Sequence, residues 1–232
     1  MVILKVIANT ERGNNKMAQK QVFLATSNGV EDVIVDYEFH SGFALSQVRK
    51  NINSIHDSIV GLKNCNPLEV SSKGTQKVSA KYSAFNLKVD GYPLEVVFQG
   101  AKVFEDENGN EFGPFFDEIS KLSSKESKAF ISKFSAENGY HLKKFSYQGK
   151  DWPLYPKTLF YDWMYYRAFT QNGSIEDIEE YDAFTDVCFN FHKSLNCQAR
   201  SLALIKVLLE NSKYSTNICE EDFYKLHRKY VK

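Results

Sequence analysis

PLEVVFQGAKVF, residues 93–104, is the stretch from which the rest of this chain is read. Pro93 stands where proline opens a helix. Wound at 3.6 residues per turn, the residues after it bury apolar side chains almost all the way round. Leu94, Phe98, Ala101 and Phe104 line one side, and Val96, Gly100 and Val103 another. The one polar stripe is Glu95, Gln99 and Lys102, spaced i, i+4, i+7. A helix apolar on nearly every side belongs in a core, where a charge needs a partner or a wet cleft. A carboxylate, an amide and an ammonium aligned on it therefore make a candidate active-site wall. The periodicity predicts a helix over 93–105.

Upstream, residues 2–8, 20–27 and 31–39 are rich in β-branched and aromatic residues, with Gly13-Asn14-Asn15 and Asn28-Gly29 between them. They predict a strand-rich amino-terminal layer. Leu45, Val48, Ile52, Ile55 and Ile59 recur at helical spacing over 44–62, and extended structure is expected from Pro67 to Val70 and on to Phe85. Downstream, helices are expected at 124–138, 156–171, 174–181, 196–212 and 219–230, the first capped by Ser123 or Ser124 and the second opened by Pro156. The acidic loop 105–111 reads as an exposed insertion. The class is α+β: a strand-rich extension over 1–70 packed on a mostly helical core over 71–232.

Composition narrows the function. Of 232 residues, 43% are apolar and 25% charged, as in an ordinary globular protein able to bury a sizeable core. Lys+Arg and Asp+Glu balance at 29 each, so no global basic field draws the chain onto nucleic acid. A nucleic-acid substrate would have to be read by a pocket, with a local patch such as Lys143-Lys144 touching phosphate. Cys65, Cys188, Cys197 and Cys219 form no C-x-x-C pair and read as small core residues of a reduced, cytoplasmic protein. No run approaches a membrane span, and the amino terminus carries no signal-peptide pattern. The five histidines lack metal-ligand spacing, and neither phosphate-loop nor dinucleotide glycine motifs occur. No metal and no cofactor are expected.

Three further segments concentrate polar and aromatic residues. Tyr82-Ser83-Ala84-Phe85-Asn86 reads by itself as a polar-aromatic strand end. In Gly149-Lys150-Asp151-Trp152-Pro153, the following proline keeps Trp152 out of the helical region, which predicts a loop position. Such an aromatic can stack on a base or ribose, or simply anchor the loop. In Tyr181-Asp182-Ala183-Phe184-Thr185-Asp186, the last aspartate is a candidate turn or cap residue, and Arg200 opens the helix that follows. Arg200 can meet an anion there or pair with a surface carboxylate.

Taken in order, these segments resemble the NADAR (YbiA-like) superfamily. The family pattern is a Ser-Asn-Phe element, then Tyr-x-Ser-x-Glu-x-x-Phe-Gln-x-x-Lys-Phe. An Asp-Trp turn, a Phe-x-Gln-Asn element and an aspartate before the last long helix complete it. This chain has Ser83-Ala84-Phe85, Tyr92 through Phe104, Asp151-Trp152, Phe169-Thr170-Gln171-Asn172 and Ala183 to Asp186, across roughly residues 82–212. It departs at Ala84, Leu94 and Lys150, where the family has asparagine, serine and often arginine. Its longer form, with Leu68-Glu69-Val70-Ser71-Ser72-Lys73 and Asn196-Cys197-Gln198-Ala199-Arg200, looks like the branch of antitoxins associated with DarT-type DNA ADP-ribosyltransferase toxins.

The resemblance implies catalytic roles for Glu95, Lys102, Trp152 and Asp186, and substrate contacts from Ser83, Phe85, Gln99 and Arg200. It implies removal of ADP-ribose from guanine in DNA, as the counterpart of such a toxin. Cleaving an N-glycosidic bond builds positive charge on the ribose, which carboxylates stabilise or quench with activated water. Lys102 could bind phosphate, protonate the leaving nitrogen or form a Schiff base with the opened ribose. Two other readings stay open: a YbiA-like N-glycosidase acting on small phosphoribosylamines, and a silent module that binds ADP-ribose.

Overall fold

Ser27 and Asn28 close a two-residue turn between β1 (Met17–Thr26) and β2 (Gly29–Glu38), which pair antiparallel over their whole length. Gly29 sits at φ +125°, and a Cβ there would meet the Tyr230 carbonyl oxygen at 2.7 Å, so only glycine serves. The computed structural model describes residues 16–211 and 217–231; the strand expected at 2–8 lies outside them. The chain divides into two compact units, one built from the residues up to Ser83 together with those from Gly173 onward, the other from Ala84–Asn172.

The first unit continues through α1 (Leu45–Leu62), β3 (Pro67–Glu69) and α2 (Lys77–Lys81). The second carries β4 (Lys88–Val89), β5 (Tyr92–Pro93), α3 (Leu94–Gly100), β6 (Lys102–Glu105), β7 (Glu111–Phe112) and α4 (Phe116–Ile119). It closes with α5 (Ser124–Asn138), β8 (His141–Tyr147), β9 (Lys150–Trp152) and α6 (Leu159–Asn172). The chain then returns to the first unit through β10 (Ala183–Thr185), α7 (Gln198–Asn211) and α8 (Glu220–Tyr230). Strands and helices are mixed throughout, and the class is α+β.

In the first unit the sheet order is β2-β1-β10-β3, with β10 and β3 parallel and the other neighbours antiparallel. Alternation sends Val22, Leu24, Val33, Val35, Tyr37 and Ala183 to one face, where they pack with Ile55 and Ile59 of α1. Both isoleucines are fully buried, each contributing about 1.5–3 kcal/mol relative to exposure. Phe23 and Phe184 point to the opposite face, which α7 covers. Thr185 and Glu69 are register partners at the ends of the parallel pair. The carboxyl end of parallel strands is where open α/β sheets place their ligands.

In the second unit β7-β6-β8-β9 form an antiparallel sheet against a core of Val96, Phe104, Phe115, Ile119 and Ile131. α5 is bounded as its sequence dictates. Ser123 and Glu126 make a reciprocal capping box, and Gly139 ends the helix in the left-handed conformation at φ +67°.

Six local expectations are corrected. The helix expected over 93–105 stops at Gly100, and Lys102–Glu105 form a strand because they pair with β8. Gly100 lies against Phe116, whose Cα would be 3.0 Å from an added Cβ. Pro93 is the residue before the helix rather than its first turn. The segment expected to run extended to Phe85 contains α2, and α6 begins at Leu159 instead of Pro156. Of the helix expected at 174–181 only a short 3-10 turn over Ile175–Asp177 forms: the amides of Asp177, Ile178 and Tyr181 bond three residues back, and the Asp182 N–H goes to the Asn66 carbonyl as the chain enters β10. Cys188 and Cys219 are exposed, so they are not core residues, and all four thiols are free.

Candidate functional site

The polar stripe of the second unit survives the early end of α3. Gln99 Nε2 donates to Glu95 Oε1 at 2.8 Å, and Lys102 Nζ donates to Gln99 Oε1 at 2.7 Å. Glu95 stands in the first turn of α3, Gln99 one turn later, and Lys102 opens β6. Gln99 is buried and uses both ends of its amide, so it fixes carboxylate and ammonium to one another. The Lys102 ammonium lies 5.3 Å from the centre of the Phe98 ring, itself packed among Phe145, Phe160 and Tyr161. Burial pushes the Lys102 pKa down to about 8; the Glu95 charge opposes that shift and Lys128 adds to it. A lysine desolvated among apolar groups and next to a second cation is in the environment that activates amine nucleophiles.

Trp152 departs from its expected loop. It ends β9, is only 5% exposed, and stacks on Trp163 at 5.8 Å between ring centres with Phe160 beside it. The Lys150 ammonium lies 5.5 Å from its ring centre. Phe85 is exposed on the turn before β4. Lys143 and Lys144 are not a free basic patch: Lys143 pairs with Glu105 and Glu111, and Lys144 with Glu111 and Asp151.

The first unit holds the other residues singled out. Asp186 follows β10 and is 7% exposed. Its Oδ1 accepts from the Cys188 N–H at 2.9 Å, the turn role expected of it, and its Oδ2 accepts from Gln198 Nε2 at 2.9 Å. Ser83 Oγ, fully buried, donates to Gln198 Oε1 at 3.5 Å, so Gln198 links Ser83 to Asp186. Burial raises the Asp186 pKa against its hydrogen bonds and the charge of Lys20.

Two residues here were not among the site residues expected from the sequence. Glu69, at the end of β3, accepts from Ser71 Oγ at 2.7 Å, from the Val187 N–H at 2.9 Å and from Thr185 Oγ1 at 2.8 Å. Lys20 on β1 donates to the carbonyls of Val187 and Phe189 at 2.8 and 2.6 Å, tying down the turn that carries Asp186. Burial depresses the Lys20 pKa, opposed by Asp186 and Glu69. The signal that could have found them was a charge inside a strand pattern, Glu69 between Leu68 and Val70 and Lys20 before Val22, and for Glu69 also its place in the branch-like segment 68–73. Arg200, the anion-binding candidate, lies on the opposite face of the sheet from Lys20, where its charge acts on Asp32.

A model of the family described as DarT1-associated NADAR antitoxins matches residues 18–232. The chain belongs to that family. Comparison with curated proteins finds no match. As a NADAR antitoxin, it carries the Glu-x-x-Phe-Gln-x-x-Lys run on the α3–β6 corner and its aspartate just past β10. No helix among the described residues is long and apolar enough to cross a membrane.

Glu69 gives this NADAR protein a specific pH dependence. Burial first, and then the neighbouring Asp186 charge, raise the Glu69 pKa from 4.5 to about 7. Between these values the folded chain holds a proton that the unfolded chain has released, so stability falls as pH rises through the interval. Below it the penalty is absent; above it the penalty is complete. An amide removes the term and keeps the contacts, with Oε1 accepting from Ser71 and Val187 and Nε2 donating to Thr185. Relative to the native protein, Glu69→Gln is expected to gain a few kcal/mol of stability between pH 5 and pH 8. Paired urea titrations at the two pH values measure the gain; equal differences at both would show that Glu69 ionises as an ordinary carboxyl.

Proposed function

We propose that the protein is an ADP-ribosyl glycohydrolase that removes ADP-ribose from guanine bases of DNA, reversing the modification made by the toxin it accompanies. The supporting observation is the Glu95–Gln99–Lys102 relay: a carboxylate and a lysine of lowered pKa, held by a buried amide that hydrogen-bonds both.

In this reading the neutral amine of Lys102 attacks C1″ of the ribose attached to guanine. The bond from C1″ to the guanine nitrogen breaks, and that nitrogen takes up a proton. The new Lys102–C1″ adduct loses an amine proton as the C1″–O4″ bond opens and O4″ is protonated, leaving a protonated imine. Glu95 takes a proton from the water that adds to this imine, and the Lys102–C1″ bond then breaks. The amine is regenerated, and ADP-ribose leaves as the aldehyde that closes to its ring form. Trp152 and Asp186 are proposed to serve the same reaction on the family resemblance, with Lys20 and Gln198 positioning Asp186.

A substrate panel tests the assignment. ADP-ribosylated guanine in DNA should be turned over, while small phosphoribosylamines and ADP-ribosylated thymine in DNA should not. Turnover of the phosphoribosylamines alone would replace this reading with the small-molecule N-glycosidase. Binding of ADP-ribose with no turnover of any substrate would replace it with a silent binding module.

A further inference from the structure

Lys102 faces a second element besides α3. A cavity of about 440 Å³ lies beside it in the second unit, lined by Gln99, Lys102, Phe104 and, from α5, Lys128, Ser132 and Ser135. This is within the roughly 300–1,000 Å³ of small-molecule sites. The three α5 residues are spaced i, i+4, i+7 and so share one face of that helix. Lys128 makes no ion pair or hydrogen bond among the described residues. Ser132 is exposed, and Ser135 Oγ donates to the Tyr140 carbonyl at 3.1 Å. The cavity thus has two cations and the Ser132 hydroxyl as donors on its walls, and no carboxylate.

We infer that this cavity is a diphosphate subsite, in which Lys128 and the Ser132 hydroxyl of α5 hold the diphosphate of ADP-ribose while Lys102 stands at its ribose end. The inference rests on the glycohydrolase reading for the identity of the ligand. Two like charges facing one cavity repel unless an anion lies between them, and the effect of Lys128 on the Lys102 pKa shows that they interact. Lysine binds phosphate as a point charge, and hydroxyl groups complete the coordination. The covalent geometry of ADP-ribose fits, because C1″ and the diphosphate-bearing C5″ stand on either side of one ribose ring. Seating the diphosphate against α5 would leave C1″ near Lys102.

Lys128 is exposed on α5, so its replacement leaves the core untouched. Calorimetric titration of the full chain and of Lys128→Glu with inorganic diphosphate, ADP-ribose, adenosine and unmodified duplex DNA tests the subsite. The variant should bind diphosphate and ADP-ribose at least tenfold more weakly, with adenosine and unmodified DNA changed less than threefold. Lys128→Arg should restore most of the affinity. In turnover of modified DNA, KM should rise, and kcat should fall near neutral pH and recover at higher pH, because a carboxylate at 128 raises the Lys102 pKa that Lys128 lowers. Equal binding of diphosphate by both proteins would overturn the subsite and leave the glycohydrolase reading intact. A matching loss of affinity for unmodified DNA would also overturn it, making Lys128 a contact to backbone phosphate. Lys128-dependent diphosphate binding by a protein that cleaves nothing would keep the subsite and remove the reaction.

Discussion

Lys102→Met is expected to lower turnover of ADP-ribosylated DNA by more than about 10⁴-fold, a loss of over ~5 kcal/mol of transition-state stabilisation. Methionine keeps the length and apolar stem that cover the Phe98 ring, so the aromatic cluster around it should remain packed. What disappears is the amine. Lys102→Arg should be equally inactive, because a guanidinium keeps its charge yet cannot lose a proton to become a nucleophile. The same claim predicts a covalent signature. Cyanoborohydride added during turnover should reduce the imine to a stable amine, leaving an ADP-ribosyl adduct that peptide mapping places on Lys102. Full activity of Lys102→Met, or turnover without any adduct under trapping conditions, would remove the covalent step.

The second large effect is expected at Glu95. Glu95→Gln preserves shape, and its amide oxygen can still accept the proton of Gln99 Nε2, so the relay geometry should persist. The carboxylate that takes the water proton is gone. A loss of about 10²–10⁴-fold in kcat is expected, the range of a general base, with far-ultraviolet circular dichroism and melting temperature unchanged. In the trapping experiment this variant should accumulate more adduct than the native protein, because hydrolysis of the imine slows more than its formation. An active Glu95→Gln would take Glu95 out of the chemistry. An inactive, unfolded one would reassign it to structure, a result the partly exposed position of Glu95 argues against.

The two substitutions probe the part of the site that was legible in sequence. Spacing alone put Glu95, Gln99 and Lys102 together, and they do form a hydrogen-bonded series. The continuous helix behind that spacing does not exist. Lys102 keeps its place because the chain leaves α3 only after Gly100, and a long side chain spans the remaining distance. Local periodicity cannot report that Val103 and Phe104 have strand partners on β8, some forty residues away, and those partners end the helix. The same non-local cause explains Trp152, which a following proline placed on a loop and which instead ends a strand in an aromatic stack.

Elements whose signal was local came through well. β1 and β2 follow from β-branched and aromatic runs around Asn28-Gly29, α1 from five aliphatic positions at helical spacing, and α5 from a serine cap. The cluster around Asp186 was legible as site residues only at Asp186 and Ser83. Lys20 comes from β1, Glu69 from β3, and Gln198 from the start of α7, three elements that meet only through the order of the sheet and the helix on its face. Lys143 and Lys144 teach the opposite lesson. A basic dipeptide in sequence is neutralised once Glu111 reaches it across β6 from β7 and Asp151 from the neighbouring β9.

Chemistry at the guanine–ribose bond is the central claim, and one measurement reaches it directly. A duplex carrying a single ADP-ribosylated guanine is incubated with the purified chain, and both products are resolved by liquid chromatography and mass spectrometry. Free ADP-ribose and unmodified guanine in the DNA are expected, in equal amounts and with multiple turnovers per protein. Intact modified DNA after prolonged incubation, or release of a fragment other than ADP-ribose, would contradict it.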